Sequence, residues 1–455
     1  MRPMLVALTA TAIFLLPAGI RHIAAAEPAK LKLTPVEIEK PLFVHRLLPD
    51  AGELREGNAA PILLRLAWEQ PEFMRTAGDR FARQLEVPLA QTAEILAMGT
   101  GLDDHVVAEL RRAAYRKTAS WEYPLDDRPR STLILLSDIQ GSRLFVQQGL
   151  SVWIRYQIAA GELEQAREGI LTGLAVARHY ARTPLAINNR VAISSADAML
   201  TRLEELIQHP AAPNFYWPLS ILPAPFVDLQ PVWEMERELF VAEVTQPSDV
   251  EKDQWFGDLD QAHTEDEWDR FARRLVLATP ELIEKALNDL NELQPELSGG
   301  VANMSDAECL VRWCVAVHRD FADRVIAAAA LEPRDAIPQL DRLQQEAGRG
   351  LAEGRIRTSD AMIAKPLDTY FAALHLQRRI ALLRGVEAVR HHTAVHGAPP
   401  ESLAELNTHP VPRDPLTNAP FEYARIDGGV RIFGPETSKG KSIDVQVLLS
   451  NDDGR

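Results

Sequence analysis

The chain contains one cluster of histidines, His391, His392 and His396. His392 and His396 are four positions apart, which would place both imidazoles on one face of a helix, as two zinc ligands often lie. A zinc site needs further ligands, and no sequence pattern supplies them. Three distant side chains are conceivable: His375, His409 and Asp414. Hydrogen-bonding side chains are also favoured near a helix C-terminus by the helix dipole. We therefore predict no metal site.

Two other patterns could indicate catalysis. Residues 434–442 (GPETSKGKS) look like a phosphate-binding loop, but five residues separate the glycines where that motif has four. Residues 443–449 are predicted to form a strand, so no helix N-terminus would face a phosphate, and we predict a hairpin loop and no cofactor. Ser194 and Ser195 lie in a predicted apolar helix, and neither Gly-x-Ser-x-Gly nor His-Glu-x-x-His occurs. The sequence assigns no catalytic residue.

The best indication of binding is an aromatic run between two prolines, Phe215, Tyr216 and Trp217. Rigid aromatic side chains are good anchors in recognition surfaces. A run of this kind also closes one end of a helical bundle as part of the core. Both interpretations stay open at this point, and these three residues are the predicted binding site.

The chain has two cysteines, Cys309 and Cys314, in a segment predicted to be helical. At a spacing of five they would lie about 140° apart around the helix, with Cα atoms roughly 8–9 Å apart. That separation exceeds the reach of a disulfide. We predict buried free thiols; a disulfide across a broken helix and a two-cysteine metal site are the alternatives.

Residues 1–26 have the order of a secretory signal peptide. Arg2 supplies a positive start, residues 4–16 are almost wholly apolar, and Ala24, Ala25 and Ala26 form a small-residue cleavage pattern. We predict cleavage before Glu27 and export to the periplasm or cell envelope. Retention as a membrane anchor is the alternative, since residues 4–20 reach the short end of the length that spans a bilayer.

Composition narrows the classes of partner. The formal charge of −15 becomes −17 when Arg2 and Arg21 leave with the signal peptide. A chain this acidic has no bulk attraction for nucleic acid or anionic lipid. No other segment is apolar enough to span a membrane, so we predict no integral membrane segment after signal removal. A protein or peptide remains the expected partner, and the sequence assigns no oligomeric state.

The elements that would position these residues are mainly helical. After the leader we predict an extended arm with the first helices (27–125), a helical domain (126–395) and a small β-rich tail (396–455). Asp427-Gly428 predicts a hairpin turn in that tail. The expected fold is mainly α, with helical hairpins in a bundle or short solenoid and a small C-terminal antiparallel β module.

The predicted hairpin at about 143–180 resembles a tetratricopeptide repeat. The matching positions of that 34-residue pattern are Gly161, Leu163, Ala166, Ile170 and Gly173. Ile154 stands where the pattern has a small residue, and the closing proline is displaced to Pro184. No second copy is found. The resemblance implies an antiparallel helical hairpin, which ordinary helix packing would equally produce.

The tail resembles the C-terminal half of the major pseudopilin of type II secretion systems. The shared order is a helix, HGAPPESLAEL (396–406), PRDPLTNAPFEY (412–423), a hairpin and FGP (433–435). The resemblance implies a small β module, but the prepilin cleavage motif is missing, so it does not imply a pilus. The whole chain also resembles a group of uncharacterised exported bacterial proteins with LLPD (47–50) and GNAAP (57–61) near their start.

Together these observations predict an exported helical scaffold or protein-interaction protein that binds a protein or peptide without catalysis. The alternative is an exported hydrolase whose site is assembled from scattered residues that the sequence does not identify.

Overall fold

The structure is a computed structural model that describes residues 28–69, 71–121, 143–245, 279–294, 303–352, 366–434 and 443–449. The predicted leader and the loop 435–442 lie outside these ranges. The described residues form thirteen α-helices and a small C-terminal sheet, which confirms the mainly helical fold predicted from the sequence. Within the same ranges, no helix has both the length and the apolar character needed to cross a membrane.

The N-terminal region contains three short strands and four helices. Its elements are β1 (Ala29–Leu33), β2 (Arg55–Asn58), α1 (Ala60–Glu69), α2 (Pro71–Glu86), α3 (Thr92–Met98), α4 (Asp104–Ala114) and β3 (Arg116–Thr118). Strands β2 and β3 pair in parallel as a separate two-stranded sheet. Asp103 caps α4, as its side chain predicts, by accepting a hydrogen bond from the His105 amide at 3.1 Å.

The central region holds three consecutive helices that all contact one another. A π-helical turn (Phe145–Leu150) continues into α5 (Ser151–Ala159), followed by α6 (Leu163–Ala181) and α7 (Ala186–Leu206). Gly161 ends α5 with a φ of 78°, the left-handed conformation predicted for a helix C-cap. A Cβ at Gly173 would overlap the Met199 side chain, so glycine allows α6 to lie directly against α7. The tetratricopeptide-like arrangement stays a prediction.

The described residues of the second half of the chain are mainly helical up to the tail. It contains α8 (Tyr216–Ser220), α9 (Gln230–Thr245), α10 (Pro280–Leu293), α11 (Asp306–Ala329), α12 (Pro333–Ala352) and α13 (Pro366–His396). Helices α10 and α11 share a small core of their own, which contains Cys309 and Cys314. Both thiols are buried and free, as predicted, and burial raises their pKa values to about 11 and about 12. They are therefore protonated at neutral pH.

The C-terminal sheet combines strands from both ends of the chain. Its strand order is β1, β6 (Asp444–Leu449), β5 (Gly429–Phe433), β4 (Glu422–Ile426). The three C-terminal strands are antiparallel, as predicted, while β1 pairs in parallel with β6, with Leu33 opposite Leu449. Leu31 and Leu33 point from β1 into the core. The N-terminal arm and the tail thus contribute to one sheet.

Helix α13 connects the central helices to this sheet through buried arginines. Arg379 pairs with Asp197 and Glu204 of α7 at 2.5 and 2.7 Å. Arg378 donates two parallel hydrogen bonds to Asp414 of the tail, at 2.9 and 2.8 Å. Bidentate geometry of this kind fixes orientation as well as distance. Near its other end, α13 also holds the aromatic segment that the sequence singled out.

Candidate functional site

A buried ion pair on α13 positions the aromatic segment. Glu387 and Arg390 are one helical turn apart, and their charged groups lie 3.3 Å from each other with almost no exposure to solvent. The Glu387 carboxylate accepts a hydrogen bond from the Phe215 amide at 2.7 Å, and its backbone carbonyl accepts one from Asn214 Nδ2. Burial raises the pKa of Glu387, while Arg390 and the Phe215 amide favour the ionised form.

Arg390 ties three chain segments together. Its guanidinium donates to the carbonyls of Ala212 and Pro213 at 2.7 and 3.1 Å, and its Nε donates to the carbonyl of Thr34 at 2.8 Å. The connector before α8 and the arm after β1 are therefore both held against α13. A backbone carbonyl in the core needs such a donor, since an unpaired buried acceptor is costly.

Two histidines complete the cluster around the start of α8. The His409 ring lies edge-on to Tyr216, Trp217 and His391, with ring centroids 5.1, 5.9 and 4.6 Å away. His391 Nδ1 accepts a hydrogen bond from the Ile38 amide at 3.1 Å, so its neutral form carries its proton on Nε2. Burial lowers the pKa of both His391 and His409, which keeps the rings neutral at pH 7.

Apolar side chains of the arm and of α8 are exposed at the surface beside this cluster. Phe43 packs edge-on against Trp217 with ring centroids 6.4 Å apart, and Ile221 follows Trp217 by one helical turn. Leu42, Phe43, Val44 and Ile221 are 38, 37, 51 and 40% exposed, although large apolar side chains are normally covered. We refer to these four residues and Trp217 as the aromatic surface.

The predicted binding residues divide between core and surface. Phe215 and Tyr216 are buried in the main core, where Phe215 is wholly covered and the Tyr216 hydroxyl donates to the Pro410 carbonyl at 2.9 Å. Trp217 is half-buried, and its indole Nε1 has no hydrogen-bond partner among the described residues. Direct contact with a partner would thus involve Trp217, while the other two hold it in place. The exposed run at 42–44 was missed, and its signal in the sequence was the apolar triplet that follows Pro41.

The residues considered for metal binding and catalysis do not assemble. The His392 and His396 rings lie 4.3 Å apart, but no group of three histidine, cysteine or acidic side chains in the described ranges is arranged to hold a metal ion. Ser194 and Ser195 lie in α7, where Gln147 Nε2 donates to both hydroxyls at 2.6 and 3.1 Å. A donor on the serine oxygen does not activate it as a nucleophile, which requires a base.

Comparison with known proteins gives no independent assignment, because no family model, curated protein or solved structure matches the chain. The geometry of the site therefore carries the functional argument.

Proposed function

We propose that this chain is an exported, non-catalytic interaction protein whose aromatic surface binds an apolar segment of a protein partner. The observation that carries the proposal is the triplet Leu42, Phe43 and Val44, whose apolar side chains are more than a third exposed beside Trp217. Contiguous apolar surface flanked by polar groups marks interaction sites in soluble proteins. The proposed export rests on the signal-peptide pattern of residues 1–26.

The aromatic surface is also built to be rigid. The Val44 amide donates to the Pro41 carbonyl at 3.2 Å, and the Arg46 guanidinium lies over the Phe43 ring, 5.5 Å from its centroid. Trp217 sits at the start of α8, which the Glu387–Arg390 pair holds against α13. Side chains fixed before binding lose less entropy on association, so a preformed anchor raises affinity.

The rim of the aromatic surface favours an apolar anchor over a charged one. Two polar side chains beside it already have partners: Arg46 pairs with Asp50 at 2.7 Å, and His45 Nε2 shares a hydrogen bond with Glu39 at 3.0 Å. A partner that presented a charge would have to compete with these pairs. Tryptophan and arginine side chains near the centre of an interface carry a large share of its binding energy, and Trp217 has that position here.

Site-specific photocrosslinking in the exporting cell tests the proposal. A benzophenone amino acid replaces Phe43 or Ile221 on the aromatic surface, and Leu96 of α3, which is 38% exposed, serves as the matched control. We expect one protein adduct of the same mass from positions 43 and 221, no such adduct from position 96, and loss of the adduct in Val44→Asp. Adducts of equal yield at all three positions, or an adduct of twice the chain mass, would contradict a partner of this kind.

Fractionation of the same cells tests export separately. The protein is expected in the periplasmic or envelope fraction with an intact mass that starts at Glu27. A chain that retains Met1 or Arg2 in that fraction would exclude cleavage, and a chain found only in the cytoplasm would exclude export.

A further inference from the structure

Residues 35–45 of the N-terminal arm are fixed to the helices at both ends, and we call this stretch the strap. Before it, the Thr34 carbonyl accepts a hydrogen bond from α13 at 2.8 Å. After it, the Arg46 carbonyl accepts one from α6 at 2.5 Å. Among the described residues, one hydrogen bond joins the strap itself to another element: the Ile38 amide donates to His391 Nδ1 of α13 at 3.1 Å. The strap also carries three of the five residues of the aromatic surface.

The hydrogen bond between the strap and α13 requires a neutral histidine. An imidazole nitrogen accepts a hydrogen bond only when it carries no proton. Neutral His391 has its proton on Nε2, so a second proton can bind only at Nδ1, where it would point at the Ile38 N–H. Two donors cannot share a hydrogen bond, and a half-buried amide that loses its acceptor is better placed in water. Protonation of His391 therefore breaks the attachment at the centre of the strap.

A second histidine lies beside His391 and titrates together with it. The His409 ring of the tail is edge-on to His391 with ring centroids 4.6 Å apart, so a charge on one ring opposes a charge on the other. Burial lowers the pKa of both rings, and repulsion from His409 lowers that of His391 further. Glu37 of the strap acts in the opposite sense and favours the charged form of His391. We expect the first proton at His391, because this carboxylate attracts it there.

Six further charged or titratable groups of α13 and α8 lie near the two rings: His392, His396, Arg384, Glu387, Arg390 and Tyr216. The two histidines disfavour a charge on His391. The charges of Glu387 and Arg390 pair with each other at 3.3 Å, and the guanidinium of Arg384 lies over the Tyr216 ring. Glu37 is therefore the carboxylate that favours the charged His391 ring, and it belongs to the strap.

The histidine of the strap itself does not oppose release. His45 shares a hydrogen bond with Glu39 at 3.0 Å, and both lie within the strap, so protonation of His45 strengthens a contact that moves with it. His45 is also attracted by Glu164 of α6. That attraction acts at the end of the strap, which the Arg46 carbonyl already fixes to the same helix. Acid therefore loosens the centre of the strap and leaves its ends in place.

We propose that the strap is a pH-dependent device in which protonation of His391 releases its centre from α13 and moves residues 42–44 away from Trp217. Histidine is the side chain whose charge ordinarily changes between pH 5 and 8. Because the attached strap requires a neutral His391 ring, the attached form is favoured at neutral pH and is lost as the pH falls below about 6. The consequence for a partner rests on the proposed function: the aromatic surface binds at neutral pH and releases its partner in acid. Release of the strap itself requires no partner.

Hydrogen exchange resolved to single amides, in the mature chain without a partner, tests the proposal. The protection factor of the Ile38 amide is measured at pH 7.5 and 5.0 and corrected for the intrinsic pH dependence of exchange, with the amides of α6 and α7 as the reference. In the wild type we expect the Ile38 protection factor to fall about tenfold at pH 5.0, the scale of one neutral hydrogen bond, while the reference amides change less than about twofold.

Three variants separate His391 from other effects of acid. In His391→Asn an amide oxygen takes the place of Nδ1 as the acceptor and does not titrate, so the Ile38 protection factor should be the same at both pH values. Glu37→Gln, at an exposed position, should lower the midpoint pH of the loss by about 0.5 pH unit, because the attracting charge is removed. His105→Asn is the matched control, since it removes an exposed histidine at the start of α4, and it should behave like the wild type.

Three results would overturn the proposal: an unchanged Ile38 protection factor in the wild type, an equal loss in His391→Asn, or a parallel loss in α6 and α7, which would mean that acid unfolds the whole molecule. If His391→Asn leaves Ile38 unprotected at both pH values, the midpoint in Glu37→Gln decides, and an unchanged midpoint overturns the proposal. The crosslinking result is separate. Absence of an adduct at positions 43 and 221 would contradict the proposed partner and leave the acid response of the strap unaffected.

Discussion

Removal of Arg390 tests whether the buried ion pair holds the arm and the connector together. Arg390→Met keeps an unbranched apolar side chain in the core but deletes the guanidinium. The Glu387 carboxylate then has no counter-ion, and the carbonyls of Thr34, Ala212 and Pro213 lose their donor. Breaking a buried pair by deletion of one partner costs about 3–5 kcal/mol in unfolding free energy. That is a large fraction of the roughly 5–15 kcal/mol that stabilises a folded domain.

The unfolding free energy lost in Arg390→Met should depend on pH, and the sign of this dependence is specific to the Glu387 carboxyl. Burial already raises the pKa of this carboxyl, and loss of Arg390 raises it further because the guanidinium favours the ionised form. Between the unfolded pKa of about 4.5 and the raised folded pKa, folding takes up a proton, so stability increases as the pH falls through that window. Arg390→Met should therefore recover stability on acidification relative to Arg390→Met/Glu387→Gln, in which the carboxyl is absent.

Urea unfolding of wild type, both single variants and the double variant at pH 7.5 and 5 provides the measurement. At pH 7.5 the double variant is expected to be more stable than Arg390→Met by at least about 1 kcal/mol, because no unpaired charge remains. Hydrogen exchange should show faster exchange of the Ile38 amide in Arg390→Met. Arg334→Met is the control, since Arg334 is 75% exposed and its change should cost less than about 0.5 kcal/mol. Equal stability of Arg390→Met and the double variant at both pH values would refute the reasoning.

Three further predictions concern other parts of the fold. Burial lowers the pKa of His179 to about 4, so the stability that its neutral ring contributes is complete above pH 6.5 and is lost as the pH falls towards 4. Between pH 7 and 4.5, the unfolding free energy of the wild type in urea should therefore fall by about 2 kcal/mol more than that of His179→Gln. Equal losses in the two proteins would contradict this. Gly434→Ala should lower the melting temperature, since a Cβ there overlaps Arg378 Nη2, and an unchanged melting temperature would show that the ion pair of Arg378 shifts freely. Leu33→Ala in β1 should lower the unfolding free energy by about 2–5 kcal/mol, because Leu33 is fully buried. Lys32→Ala, on the exposed face of the same strand, should lower it by less than about 0.5 kcal/mol. Similar values for the two variants would mean that β1 adds no core packing.

Local signals in the sequence predicted the helices and the hairpin because each depends on neighbouring residues. Thr279 and Pro280 predict a helix start, and in the structure the Thr279 side chain accepts from the Leu282 amide at 3.2 Å with Pro280 in the first turn. Asp427-Gly428 likewise forms the turn between β4 and β5. Helix α12 is less local: it begins at Pro333 and continues past an internal proline, Pro338, which by itself favours a helix start.

The candidate sites depend on residues that are distant in sequence, and local patterns do not reveal such neighbours. The aromatic run 215–217 was recognised, but the sequence left open whether it packs in the core or binds a partner. In the structure Tyr216 is buried and Trp217 is half-buried, because α13 and the arm pack around the start of α8.

The contact between β1 and β6 is the least predictable from the sequence, and β1 begins only two residues after the predicted cleavage site. These strands lie near opposite ends of the chain, so their pairing has the highest entropic cost of loop closure in the sheet. It also requires that the last strand has been synthesised. Helices α5–α7, in contrast, pack through contacts between neighbouring segments. Cleavage before Glu27 would leave two residues ahead of β1 and a free edge of the sheet. A retained apolar segment ending at Ile20 would instead hold β1 within about 30 Å of the membrane, the greatest span of the nine residues to Ala29. Because the aromatic surface includes residues of the same arm, the N-terminal mass also distinguishes two forms of the proposed interaction: one away from the membrane, if residues 1–26 are cleaved, and one beside it, if they are retained.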